Sequence, residues 1–304
     1  MSYAIEVENL HKVYKNKHAV QGVSFSVEKG EIFGIVGPNG AGKTTTIEIL
    51  EGLRKKDNGK ISILGLDPEK KPYELRQKIG IQFQSTSIQE RMKVKEAIHL
   101  FSSFYEKKGD IPAILEKLGL DSFMDTQFTN LSGGWKQRLT LALAIIHDPE
   151  IIFLDEPSTG LDPGARRDMW SLIRNLQQEG KTIVVTTHYM EEAEQLCDRV
   201  AMFKEGQIVA LDTPKHLVNQ FLMANYLTFI SDDADLELLR NITGANDVSH
   251  SNETIKIQTH NLQDTSLELF QLAKEKGWKI DNFRFEVGSL DDLFVQMAGK
   301  EQSP

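Results

Sequence analysis

Gly37-Pro38-Asn39-Gly40-Ala41-Gly42-Lys43-Thr44-Thr45 decides how this chain is read. Glycines at 37 and 42, followed directly by Lys43 and Thr44, have the spacing of a phosphate-binding loop. Glycine permits backbone conformations in which successive N–H groups turn inward on an anion. Lys43 brings a compact cation to the β- and γ-phosphates, and the Thr44 hydroxyl suits Mg²⁺. Glu31 to Gly37 reads as a short buried strand and Lys43 to Leu50 as a helix stopped near Gly52. That helix aims its positive end at the same phosphates. Strand, loop and helix in this order predict a nucleotide site.

Outward from the loop, the texture is that of a mixed α/β protein. Ala4 to Leu10 and Val20 to Val27 read as strands, with Tyr14 between them, and Ile61 to Gly65 continues the β material. Ile79 to Gln84 reads as a short strand ending in a polar residue. Between about 85 and 130 the periodicity turns helical, as in Glu96 to Tyr105 and Pro112 to Leu118, which predicts a helical insert. Helices over Trp135 to His147 and Arg166 to Gln178 then alternate with apolar strands at Ile151 to Leu154 and Thr182 to Thr187. That alternation predicts a parallel sheet covered on both faces. Val200 to Leu211 reads as a hairpin turning at Gly206. The fold class expected is α/β, with a nucleotide-binding domain over residues 1–220. Residues 221–304 read as a small α+β domain of βαββαβ order, ferredoxin-like and acidic.

The chain has 304 residues, enough for two domains, and a formal net charge of -9 from 35 basic and 44 acidic residues. That balance argues against a nucleic-acid partner. Its one cysteine, Cys197, reads as a small buried apolar residue in a reducing compartment. The first residues lack a signal-peptide profile, and no stretch approaches the ~20 apolar residues of a membrane span. The expectation is a cytoplasmic protein; if it acts at a membrane, another chain supplies the spans.

Ile151-Ile-Phe-Leu-Asp155-Glu156-Pro157 puts two carboxylates at the C-terminal end of a buried strand, where open α/β sheets bind ligands. Asp155 suits a Mg²⁺ shell and Glu156 suits a base for the attacking water. Leu131-Ser132-Gly133-Gly134 precedes a helix, so Ser132 and the two glycine amides can form an anion site. A capping loop without a ligand would look the same. No histidine pairs with another, or with Cys197, at metal-ligand spacing.

These segments in this order resemble the nucleotide-binding subunit of ATP-binding cassette (ABC) transporters over roughly residues 3 to 220. The resemblance implies that Tyr14 stacks on adenine and that Gln84 touches the metal water. It implies that His188 contacts the γ-phosphate, and that Ser132, Gly133 and Gly134 belong to the signature. Ser158 to Asp162 matches a loop reaching across a dimer. ATP and Mg²⁺ are the implied cofactors. A transmembrane permease is the implied partner, with a homodimer forming on ATP binding at the inner face of the membrane. Trp135 departs from the pattern, which usually has glutamine there.

The lone nucleotide domain and the tail ending near Gly288 to Phe294 are similar to ABC-2 type drug, antibiotic or sodium efflux ATPases. That likeness implies export. An importer subunit and a non-transport ATPase switch remain as alternatives. The implied docking groove for the permease combines apolar positions of the helical insert with Ser85 to Met92.

Overall fold

A computed structural model describes residues 3–15, 17–83, 88–222, 225–251 and 253–299. The contacts divide the chain into two units, Met1–Pro214 and Lys215–Pro304.

In the first unit, β1 (Tyr3–Tyr14) and β2 (Lys17–Glu28) pair antiparallel, and β3 (Ile32–Val36) leads into the glycine-rich loop and α1 (Lys43–Leu50). β4 (Asn58–Ile63), α2 (Pro72–Arg76) and β5 (Ile79–Gln82) follow. The insert carries α3 (Val94–Ser102) and α4 (Ile111–Leu118), then two 3-10 turns. α5 (Gly133–Ile145), β6 (Ile151–Asp155), α6 (Pro163–Gln178), β7 (Thr182–Thr187) and α7 (Met190–Leu196) alternate. β8 (Arg199–Lys204) and β9 (Gln207–Asp212) form the closing hairpin, and α8 (Pro214–Leu222) begins at the last residue of this unit.

The main sheet has the order β5-β6-β7-β3-β8-β9, parallel except for β9. A second sheet, β2-β1-β4, is antiparallel. β3 is buried at all five positions, as a central parallel strand with both faces covered must be. A Cβ on Gly34 would lie 2.7 Å from Cys197 Sγ, so glycine is what lets this strand approach the buried cysteine. Burial pushes the Cys197 thiol pKa well up, which suits an inert packed residue.

Several elements differ from the sequence expectation in extent. β1 runs on to Tyr14, which pairs with Lys17, so the tyrosine is a strand residue and not part of a connection. α3 begins at Val94 because the Lys93 amide donates to Glu96 at 2.9 Å. It ends at Ser102, where Ser102 and Ser103 hydroxyls bond back to the His99 and Leu100 carbonyls. α6 starts at Pro163, capped by Asp162, three residues before the periodic apolar pattern. The short helices α2 and α7 carry too few turns to be read from periodicity.

The second unit holds β10 (Asn225–Ile230), α9 (Leu236–Arg240), β11 (Ala245–Ser251), β12 (Thr254–Thr259), α10 (Leu262–Lys276), β13 (Asp281–Val287) and α11 (Leu290–Gly299). Its antiparallel sheet has the order β11-β12-β10-β13. β12 alternates buried and half-buried residues, sending Ile255 and Ile257 into one core with Leu227, Phe229, Leu239 and Leu269. No described helix is long and apolar enough to cross a membrane.

Candidate active site

The strand order is what assembles the site. β3 lies beside β7 and β7 beside β6, so the loop after β3, His188 after β7 and Glu156 after β6 share one edge of the sheet. A cleft of ≈ 520 Å³ opens there, lined by Tyr14, Lys17, Ala19, Asn39, Gly40, Gly42, Lys43, Thr44, Thr45 and Glu156.

The loop is held by its own backbone and by the β8–β9 turn. Gly37, Gly40 and Gly42 all have positive φ. A Cβ on Gly37 would meet the Phe203 carbonyl at 2.3 Å, and one on Gly42 the Ala19 carbonyl at 2.3 Å. The Ala41 amide donates to the Pro38 carbonyl at 3.2 Å, and the Gly206 amide donates to the Ala41 carbonyl at 2.9 Å. Glu205 and Gly206 both have positive φ, the twist a two-residue hairpin requires. Lys43 is buried, its Nζ donating to the carbonyls of Gly37 at 2.8 Å and Pro38 at 3.1 Å. Burial lowers its pKa, opposed by Glu156 and Asp155. Ala41 is buried, and Thr44 sits exposed in the cleft wall.

Asp155 accepts a hydrogen bond from the Thr186 hydroxyl. Its carboxyl pKa is raised by burial, with Glu156 adding to the rise and Thr186 and Lys43 opposing it. Glu156 adopts φ 51, a left-handed conformation rare outside glycine. Its amide is pinned to Thr186, donating to the carbonyl at 3.1 Å and the hydroxyl at 3.1 Å. One carboxylate oxygen accepts from Thr159 Oγ1 at 3.1 Å, and the other lies 3.1 Å from His188 Nδ1. Strain of this kind persists where the surroundings over-determine the backbone. It turns the carboxylate toward the histidine and the cleft.

Tyr14 stands at the cleft margin. Lys12 Nζ and Arg54 Cζ lie 5.4 Å and 5.7 Å from its ring centroid, and Arg54 donates to its hydroxyl at 3.3 Å. Ser132, Gly133 and Gly134 do not line this cleft. Ser132 is the N-cap of α5 and makes no side-chain capping bond, and Gly133 has no atom within 4 Å of a Cβ position. Asp162 is spent on capping α6, accepting from the Gly164 and Ala165 amides at 2.9 and 3.0 Å, which lowers its pKa. Gln84 lies outside the described residues.

Trp135 faces the insert. Its ring packs on Phe123 with centroids 4.2 Å apart and takes Arg138 at 4.9 Å. Sequence reasoning missed Lys17, Thr159, Thr186 and Glu51. The last is buried behind the loop helix, its pKa raised to about 9 by burial and then by Asp155 and Glu48. The Thr-Thr-His run at 186–188 is the signal that could have found Thr186; Glu51 has none.

The donor set suits a magnesium polyphosphate. A buried ammonium, an amide-lined loop and a hard carboxylate beside a hydroxyl are what such an ion pair requires.

A family model described as ABC transporter matches residues 20–159. Nod factor export ATP-binding protein I of Burkholderia orbicola (strain AU 1054) is 35% identical over 302 residues, covering 98% of this chain and 97% of its own. The solved structure of an ATP-binding subunit of an ABC transporter superposes with a TM-score of 0.66 at 27% identity, over 72% of this chain and 93% of that one. The dimeric structure of a bacterial ABC transporter cassette gives a TM-score of 0.61 at 28% identity, over 69% and 98%.

Proposed function

The chain belongs to the ABC transporter family as an ATP-binding subunit, and from that premise we propose that it hydrolyses ATP to power export through a separate membrane permease. The relative named for Nod factor export supports the direction of transport. The observation that carries the chemistry is the contact of Glu156 with His188 at 3.1 Å, beside the buried Lys43.

In this reading Lys43 gives up its loop carbonyls for the β- and γ-phosphates, and the loop amides take the remaining oxygens. Tyr14 supports the adenine. Thr44, Asp155 and Gln84 would hold Mg²⁺, which would supply charge neutralisation for the transferred phosphoryl group. Glu156 accepts the proton of the attacking water. With His188 Nδ1 engaged by Glu156, Nε2 is the nitrogen available to the terminal phosphate. Little more than positioning and charge is needed for this reaction.

Ser132, Gly133 and Gly134 act on the nucleotide of a second copy. An open N-cap at a helix start offers amides to a phosphate from outside the sheet. The dimeric cassette among the similar structures supports dimerisation. A cleft of ≈ 380 Å³ between α2, β5, α3 and α5 exposes Tyr73, Phe83 and Phe104. It suits a cytoplasmic helix of the permease. Of the Ser85 to Met92 stretch expected in such a groove, residues 85–87 lie outside the described residues and 88–92 do not line this cleft.

The test is a Glu156→Gln variant with ATP and Mg²⁺. Turnover should fall by about 10² or more, the scale of a lost general base. Light scattering should find dimers that persist with ATP. Full turnover in this variant would remove Glu156 from the base role, and a variant that stayed monomeric would remove the ATP-driven dimer.

A further inference from the structure

Arg166 and Trp170 stand one turn apart on α6, and both reach across to the segment that follows β7. Trp170 Nε1 donates to Glu192 Oε1 at 2.9 Å, with both side chains buried. Arg166 lays its guanidinium over the Tyr189 ring, Cζ 4.8 Å from the centroid, and makes a long 3.8 Å ion pair with Glu191. Arg166 Nε is buried and has no hydrogen-bond partner among the described residues. The ring is therefore the main feature that orients this guanidinium. Tyr189 packs against His188 in turn, ring centroids 4.1 Å apart and planes at 38°.

The imidazole thus lies between a carboxylate and a phenol, and the phenol between an imidazole and a guanidinium. The start of α6 joins the same chain of contacts, because the Arg166 amide donates to the Asp162 carbonyl at 2.9 Å. An imidazole has two side-chain torsions, and the Glu156 contact alone leaves rotation about that hydrogen bond open. A ring on its face removes this freedom.

We propose that Tyr189 and Arg166 are positioning residues for His188. They hold its imidazole in the orientation that meets Glu156 and tie it to the first turn of α6. This rests on the ATPase reading given above, in which His188 meets the terminal phosphate. The stack acts through His188, and neither Tyr189 nor Arg166 lines the cleft. Displacing α6 at its start displaces the guanidinium, the phenol and then the imidazole, so the loop at Asp162 and the histidine move together.

Steady-state ATP turnover of the full chain tests this. Tyr189→Leu keeps an apolar side chain but no ring, and should lower kcat about tenfold with KM for ATP changed less than about twofold, as expected for misplaced catalytic groups. Tyr189→Phe should restore the wild-type rate, since the ring face is what acts. Arg166→Met keeps the stem without the charge and should lower kcat about threefold, the smaller effect of an outer cation–π contact. In single-turnover assays Tyr189→Leu added to His188→Ala should cost less than about twofold more, because the two act as one unit.

Wild-type kcat in folded Tyr189→Leu overturns the proposal, as does a full additional loss on top of His188→Ala. If Tyr189→Leu melts below the assay temperature, Arg166→Met decides by the same two measurements. A wild-type chain that turns over no ATP would sink the ATPase reading and this proposal together. An active wild type with an indifferent Tyr189→Leu sinks this proposal alone.

Discussion

The glycine-rich loop after β3 and the one before α5 are both turns into a helix N-terminus, yet they are built in opposite ways. The first is closed by its own chain. Its glycines press against the carbonyls of Phe203 and Ala19, and Lys43 is only 5% exposed. The second is open: Ser132 and Gly133 are exposed, and Ser132 makes no side-chain cap. The difference teaches where each loop's partner lies. A loop whose donors converge within one chain can grip a ligand by itself. A loop whose donors face outward needs its ligand brought by something else, which on the proposed reading is a second copy.

The same substitution in the two loops should break them differently. Gly42→Ala forces a Cβ into the Ala19 carbonyl at a φ of +103. It should cost at least about 2–3 kcal/mol of stability and abolish nucleotide binding, visible in a thermal melt and in ATP titration. Gly133→Ala meets nothing within 4 Å. It should leave the melt within about 0.5 kcal/mol of wild type and lower turnover through the added bulk at the dimer face. Equal melting losses in both variants would erase the distinction between a closed and an open loop.

Trp135 sharpens the contrast, because it braces the open loop from behind against Phe123 and Arg138. Trp135→Gln should cost about 1–2 kcal/mol in denaturant unfolding, from lost aromatic packing, with turnover retained. Loss of turnover at unchanged stability would move Trp135 from bracing to binding.

Outside both loops, His147 lies at the other end of the parallel strands, and its effect shows only as pH falls. It is buried against Tyr105, rings 3.6 Å apart, and bonded to the Ile79 carbonyl. Burial lowers its pKa from 6.5 to about 4. Between those values the unfolded chain takes up a proton that the folded chain refuses, so stability falls as pH drops from 6.5 toward 4. The contribution is at most about 3 kcal/mol. His147→Asn should flatten that part of the pH–stability curve relative to wild type. An unchanged slope would mean the histidine titrates normally.

Much of this was legible in the residues because its causes are local. Five apolar positions ahead of Gly37 make a buried strand, and Gly42-Lys43-Thr44 makes a loop opening a helix, whatever surrounds them. The place of Asp155 and Glu156 at a strand end was readable from the apolar run before them. An acidic strand end is common by itself, and the phosphate loop earlier in the same sheet is what singled this one out. Tyr14 and the start of α6 were misjudged in extent because pairing with Lys17 and capping by Asp162 leave no periodic signal. Glu51 was invisible because Asp155, which shapes its environment, lies far along the chain. Thr186 meets Asp155 and Glu156 only across the sheet, while Thr159 bonds to Glu156 within one turn of chain, a contact with no periodic signal.

Residue order alone was enough to pick out the candidate groups: a glycine-rich turn with its cation, a pair of acids and a histidine, each written in a few adjacent positions. Only the tertiary structure decided that they meet. β3, β6 and β7 are separated by long stretches of chain, and hydrogen bonding across β6-β7-β3 brings their ends to one edge. It also decided the left-handed turn at Glu156, which arises because two bonds to Thr186 over-determine a backbone that no local preference would choose.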